Sequence, residues 1–242
     1  PEGVLKEGST HYQLLITRTY LEIMWFSKMT NNIETFDWLK PRLVKMLNCC
    51  HFMSINDNSI PLVGDISPDY PPDWFIGYPF TNRNNDKILS PWTKIWGDFK
   101  SFDFCLMDLQ LKEKYEVINS SFESGQWYRY KKNNLSLFST AMASDIKSHI
   151  HQDKGGICVF YDNFPILIDP GLKKYTWKDP VVKFQSEVLS HSTISINEIG
   201  LVPSKLSKMD LMSDYFSKKN ISYQLYDNGI KYKMKGFRVL GR

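Results

Sequence analysis

With 242 residues, 42% of them hydrophobic, the chain can bury a sizeable core and divide into one or two domains. Its 30 Lys and Arg against 26 Asp and Glu give a net charge of +4 with the basic residues dispersed, which argues against a nucleic-acid partner and is compatible with an anionic polymer. No apolar run reaches the roughly 20 residues of a membrane-spanning helix, so no such span is expected.

The chain opens on Pro1-Glu2-Gly3-Val4, without an initiator Met or a signal-peptide pattern, so a true N-terminus with any targeting signal is expected upstream. Gly8-Ser9 leads into an apolar stretch over residues 12–26, where Leu15, Ile16, Tyr20, Ile23 and Phe26 recur at helical spacing. Leu14, Leu21, Met24 and Trp25 lie off that stripe and predict a helix buried on most sides. Asn31-Asn32 ends it. A second helix is expected over residues 33–48, with a kink or break at Pro41. Residues 54–98 are dense in turn formers and read as an ordered connector, which Trp74, Trp92 and Trp96 would pin to the body. A short helix or irregular stretch is expected over 92–111.

From about Phe122 the pattern changes to strands, over residues 126–130, 135–140, 157–161, 165–169 and 193–197. Asn133-Asn134, Asp162-Asn163 and Gly171 supply the turns. Helices first and strands after imply segregated α+β domains and not alternating βαβ units. Cys49 and Cys50 are adjacent while Cys105 and Cys158 sit in apolar strings; with no C-x-x-C pair, all four read as buried thiols. The 7 Trp and 13 Tyr suit stacking on sugar rings, and suit an ordinary core equally well.

The main chemical signal is His149-Ile150-His151-Gln152-Asp153. On a strand, residues two apart share a face, so His149, His151 and Asp153 would project together. Asp169 and His191 follow downstream, and neutral imidazoles with a carboxylate are ligands that zinc takes. H-x-H-x-D also begins the metallo-β-lactamase motif. That motif continues with a second His, where this chain has Lys154, and it follows strands, where this chain has helices.

Two stretches together resemble the heparinase II/III family of polysaccharide lyases, which includes alginate and heparin lyases. Residues 3–13, GVLKEGSTHYQ, are similar to that family's D-G-x-x-x-E-x-S-x-x-Y segment. Residues 149–171 are similar to its block that opens H-x-H-x-D and closes D-P-G. His191 falls where the family has an A-H-N-T-like segment, and Gly64-Asp65 resembles a G-D pair in its last toroid helices. The resemblance implies an α+β multidomain chain: the end of an (α/α) toroid plus connector over residues 1–115, then an incomplete antiparallel β-sandwich over 116–242.

It further implies β-elimination at a uronic acid of an acidic polysaccharide, and a periplasmic or cell-envelope location. Position by position, Tyr12 matches the family's catalytic tyrosine and His149 its catalytic histidine, while His151, Asp169 and His191 match ligands of a structural zinc. Glu7 and His11 could line the same cleft. A tyrosine is a poor base near its free pKa of about 10, but a place in the first helical turn after Ser9 would favour its anion. Ser192 stands where the family commonly has Asn, and Gln185-Ser186 where an Arg-containing stretch is usual. An upstream Asn/His pair of the family would precede residue 1. The departures motivate a second expectation, a glycan-binding or surface-polysaccharide assembly protein that keeps the fold without turnover.

Overall fold

Two helices joined by three residues form the N-terminal layer. The structure, a computed structural model, describes residues 3–55, 60–67, 119–122, 127–140, 151–162, 164–172, 178–200, 221–226 and 229–235. Helix α1, Thr10–Met29, is capped by Ser9, whose side chain accepts from the Tyr12 N–H, and it closes at Thr30. Asn31 takes a left-handed conformation (φ 55°), and Asn32 caps α2, Ile33–Met53, by accepting from the Thr35 N–H. Neither helix is long and apolar enough to cross a membrane.

The buried face of α1 differs from the stripe expected from the sequence. Leu14, Thr17, Leu21 and Met24 face inward, while Ile23 and Phe26 are 44% and 65% exposed. The apolar count misled because the inner face carries polar residues whose groups are satisfied locally. Thr17 Oγ1 donates to the Gln13 carbonyl, Gln13 Nε2 to the Gly3 carbonyl, and Ser27 Oγ to the Ile23 carbonyl. Pro41 does not break α2, which continues to Met53. Pro41 and Asp37, whose carbonyl loses its helical donor, both lie on the exposed face, where solvent access lowers the cost of the missing bond.

Five antiparallel strands follow as a meander in chain order: β1 Asn119–Phe122, β2 Trp127–Lys132, β3 Leu135–Thr140, β4 Gly156–Tyr161 and β5 Phe164–Leu167. Asn133 (φ 51°) and Asp162 (φ 48°) make the tight turns of the β2–β3 and β4–β5 hairpins, as the Asn and Asp signals predicted. A short helix, α3 Pro180–Gln185, a 3-10 turn over Val188–Ser190 and a two-stranded hairpin, β6 Ile221–Tyr226 with β7 Gly229–Met234, complete the described elements. Neither α3 nor β1, β6 and β7 was expected as such. The strand expected over 193–197 is absent: an isolated bridge joins Ile196 to Ile199, and Asn197 and Glu198 turn the chain with positive φ.

Helices and sheet share one core. Leu14, Leu21, Leu43, Leu47 and Phe52 from the helices meet Trp127, Phe138, Cys158 and Phe160 from the sheet. Phe138 receives edge-on contacts from Phe52 and Trp127, with ring centroids 6.2 and 5.8 Å away. Arg129 of β2 reaches through this layer to the C-terminus of α2, donating to the carbonyls of Phe52 (3.2 Å), Ile55 (3.1 Å) and, more weakly, His51 (3.4 Å). Burial lowers the pKa of its guanidinium to about 10, so this cation is held at a cost. Cys49, Cys50 and Cys158 are buried free thiols, as expected. Cys105 lies outside the described residues, as do residues 56–59 and 68–98 of the connector with its three tryptophans and the whole of 92–111.

Candidate active site at the junction of helices and sheet

The N-terminal turn of α1 is tied down by the segment 60–67. Thr10 N–H donates to the Val63 carbonyl (3.1 Å), and Thr10 Oγ1 to that of Pro61 (2.6 Å). Ser9 Oγ accepts from the Tyr12 N–H (3.0 Å) and itself donates to the Asp65 carbonyl (2.6 Å). His11 Nδ1 accepts from the Ser67 N–H at 3.0 Å. Gly64 (φ +75°) allows this closeness, because a Cβ there would stand 3.1 Å from Ser9 Cα. Tyr12, half-buried, lies in the first turn of α1, where the helix dipole favours negative charge.

The same segment continues onto the sheet layer. Asp65 bridges to Leu172 in parallel fashion, with Ile66 N–H donating to the Leu172 carbonyl (2.9 Å) and Leu172 N–H to that of Gly64 (3.2 Å). Asp65 Oδ1 lies 2.5 Å from Nε2 of His151, both groups being buried. Gly171 (φ +58°) donates its N–H to Asp169 Oδ1 (3.0 Å), and the Asp169 carboxylate faces His191 Nδ1 at 2.9 and 3.0 Å. The rings of His151 and His191 stand 5.5 Å apart. Asp153 and Lys154, also buried, pair at 3.1 Å beside them.

Six ionisable groups thus converge in a buried site. Burial pushes the Asp153 carboxyl up, but the Lys154 ammonium and the imidazoles of His151 and His191 outweigh it and hold the group below the usual carboxylate range. Burial likewise lowers His191, yet its hydrogen bond to Asp169 and the charges of Asp153 and Asp169 prevail over burial and Lys154, and its pKa is raised.

His151 and Asp153 are not on a strand, contrary to the expectation that placed the H-x-H-x-D motif on one. They occupy the loop before β4, closed by Gly155 (φ +75°) and by Gly156 N–H donating to the Asp153 carbonyl at 2.9 Å. The two glycines break the strand that periodicity alone suggests.

The donor chemistry suits a metal. Ionised carboxylates only accept, so the His151 proton sits on Nε2 and that of His191 on Nδ1. His151 Nδ1 and His191 Nε2 are buried, and neither has a hydrogen-bond partner among the described residues. An imidazole steadied through one nitrogen by a carboxylate and free at the other is the usual form of a metal-ligating histidine. The residues fit zinc by type. Among the described residues no three His, Cys, Asp or Glu side chains are arranged as a ligand set, and the carboxylates of Asp65 and Asp169 close on the imidazoles.

Of the residues singled out from the sequence, His151, Asp169 and His191 are brought into one cluster, with Tyr12 at the head of the helix bonded to it through Ser9 and Asp65. Glu7 is half-buried ahead of α1, and His11 is wholly buried. His149 lies outside the described residues. Asp65 and Lys154 were assigned no role from the sequence. A buried carboxylate far along the chain from its partner leaves no local signal, although Gly64-Asp65 stood out by resemblance.

No protein-family model matches the sequence, and no curated protein does. Solved structures do match. A heparan sulfate lyase from Pedobacter heparinus superposes with a TM-score of 0.62 at 14% identity, over 98% of this chain and 35% of that one. A structure described as heparinase III matches at 0.61 and 13% identity, over 98% and 37%. Another heparinase III gene product matches at 0.62 and 13%, over 94% and 33%. The chain spans about a third of the length of these lyases, and over that third it has their fold.

Proposed function

We propose that the protein is a polysaccharide lyase that cleaves a uronic-acid-containing glycan by β-elimination, with α1 and α2 as the end of an (α/α) toroid and the strands as part of a β-sandwich. The observation that carries this reading is the bonded path from the N-terminal turn bearing Tyr12, through Ser9 and Asp65, to buried His151 in a chain folded like heparan sulfate lyases. The lyases it resembles act on an acidic glycosaminoglycan, and a glycan of that chemistry is the substrate class assigned here.

Elimination removes the C5 proton beside the uronate carboxylate and expels the 4-linked sugar oxygen, leaving a C4–C5 double bond. It requires a base, an acid for the leaving oxygen and donors for the carboxylate. Tyr12 supplies the first two in turn: its phenolate, favoured by the helix N-terminus, takes the C5 proton, and the phenol returns it to O4. His149 assists as base or as carboxylate donor. Glu7, on the approach to α1, contacts the sugar, and buried His11 acts by holding Ser67 in place. His151, Asp169 and His191 would hold a structural zinc, which would fix the loop 151–155 that follows His149 in the sequence.

The test is the ultraviolet absorbance of an unsaturated uronate when the natural polypeptide meets uronic glycans. The signal should appear on at least one of them and vanish in Tyr12→Phe with the fold retained. Glycan binding without that absorbance, unaltered by Tyr12→Phe, would favour a binding or assembly protein of the same fold.

A further inference from the structure

We propose that residues 60–67 form a positioning strap and that Asp65 is its working residue, fixing the distance between Tyr12 and the imidazole cluster. Its functional consequence rests on the lyase reading above.

The strap is bonded on both sides within a few residues. Towards the helix it receives the Thr10 N–H at Val63, the Thr10 hydroxyl at Pro61 and the Ser9 hydroxyl at Asp65, and it gives the Ser67 N–H to His11. Towards the sheet it exchanges two backbone bonds with Leu172, and the Asp65 side chain takes His151. Asp65 is thus bonded to both layers, by its carbonyl to the cap of α1 and by its carboxylate to the imidazole. Its side chain is only 2% exposed.

Burying a carboxylate is costly unless its partners are fixed. The cost is explicable if the group sets a geometry that packing alone would leave loose. Hydrophobic contacts tolerate small sliding, whereas two short, directional bonds from one residue do not. Displacements of about 1 Å in a catalytic group can reduce rate by ~100-fold. Glycines on either side of the joint make the closeness possible. A Cβ on Gly64 would press on Ser9, and one on Gly171 would stand 2.4 Å from Ile66 Cδ1.

The experiment compares Asp65→Ala and Asp65→Asn with the parent, in the natural polypeptide, by amide hydrogen exchange and by turnover. Asp65→Ala removes the acceptor, while Asp65→Asn retains an oxygen for the His151 N–H. Asp65→Ala should speed exchange in peptides covering residues 9–13, 64–67 and 171–172, leaving the far end of α1 unchanged. It should lower kcat by roughly 10–100-fold with KM little changed, and Asp65→Asn should recover most of both. Should Asp65→Ala fail to fold, Ser9→Ala carries the same two readouts, because it removes the bond from the α1 cap to Asp65 and leaves the Asp65–His151 pair intact. Unchanged exchange at 9–13 in every variant overturns the strap. Faster exchange with undiminished kcat overturns its positioning role. If the parent forms no unsaturated product on any glycan, the lyase reading falls, and the exchange pattern alone decides whether the strap exists.

Discussion

Replacing Arg129 by Met should destabilise the protein by about 3 kcal/mol, because this one side chain holds the C-terminal end of α2 to the sheet. Two of its three bonds, to the carbonyls of Phe52 and Ile55, are within 3.2 Å, and the third at 3.4 Å adds little. Hydrogen bonds to a charged group contribute ~1.5–3 kcal/mol each, so the two good ones suggest roughly 3–6 kcal/mol. The depression of the guanidinium pKa from 12.5 to about 10 shows that burial penalises this cation strongly, which places the expectation at the lower end. For a protein of this size, each kcal/mol moves Tm by about 2–4 °C. Thermal unfolding followed by circular dichroism should therefore show a fall of ~6–12 °C. Arg129→Lys should recover only part, since one ammonium cannot span carbonyls that the planar fork reaches. A shift within about 1–2 °C, equivalent to ~0.5 kcal/mol, would contradict this account of how the two layers are joined.

Gly171→Ala should cost at least about 1–2 kcal/mol from the left-handed backbone alone, and more because its Cβ would meet Ile66 at 2.4 Å; a denaturant midpoint measures it, and an unchanged midpoint would exclude the tight joint. If zinc occupies the imidazole cluster, elemental analysis should find one metal per polypeptide, and chelation should lower Tm by several degrees, since a ligand at 100 times its Kd contributes about 2.7 kcal/mol. His191→Ala should abolish both effects, and a metal-free, chelator-insensitive parent would remove the zinc assignment. Peptides containing Cys49, Cys50 and Cys158 should resist maleimide in the native state, because these thiols are buried and burial pushes Cys50 and Cys158 up to about 12. Rapid native labelling at any of them would show that the core is open.

The sequence conveyed the order of elements well wherever the signal was local. Ser9 and Asn32 cap the two helices in the places their side chains favour, and Asn133-Asn134 and Asp162 turn the strands as expected. Leu135–Thr140 was legible to the residue because the Asn133-Asn134 turn fixes where it begins. The inner face of α1 was misread, since Thr17 and Gln13 satisfy themselves within the first turns and so can be buried beside Leu14 and Leu21. The loop form of 151–155 follows from Gly155 and Gly156, whose punctuation overrides the His-x-His-x-Asp periodicity. Within the site, the family resemblance, and not spacing, grouped His151, Asp169 and His191 as one set. Spacing had no means of pairing Asp65 with His151, a contact 86 residues apart in the chain, or of giving Lys154 a buried partner.

The mass of the products tests the lyase proposal most directly. When the natural polypeptide cleaves a defined uronic oligosaccharide, the two fragments should sum to the substrate's own mass, one of them carrying the double bond. Fragments that together exceed the substrate by one water would mean hydrolysis, and would end the assignment of Tyr12 as an eliminating base.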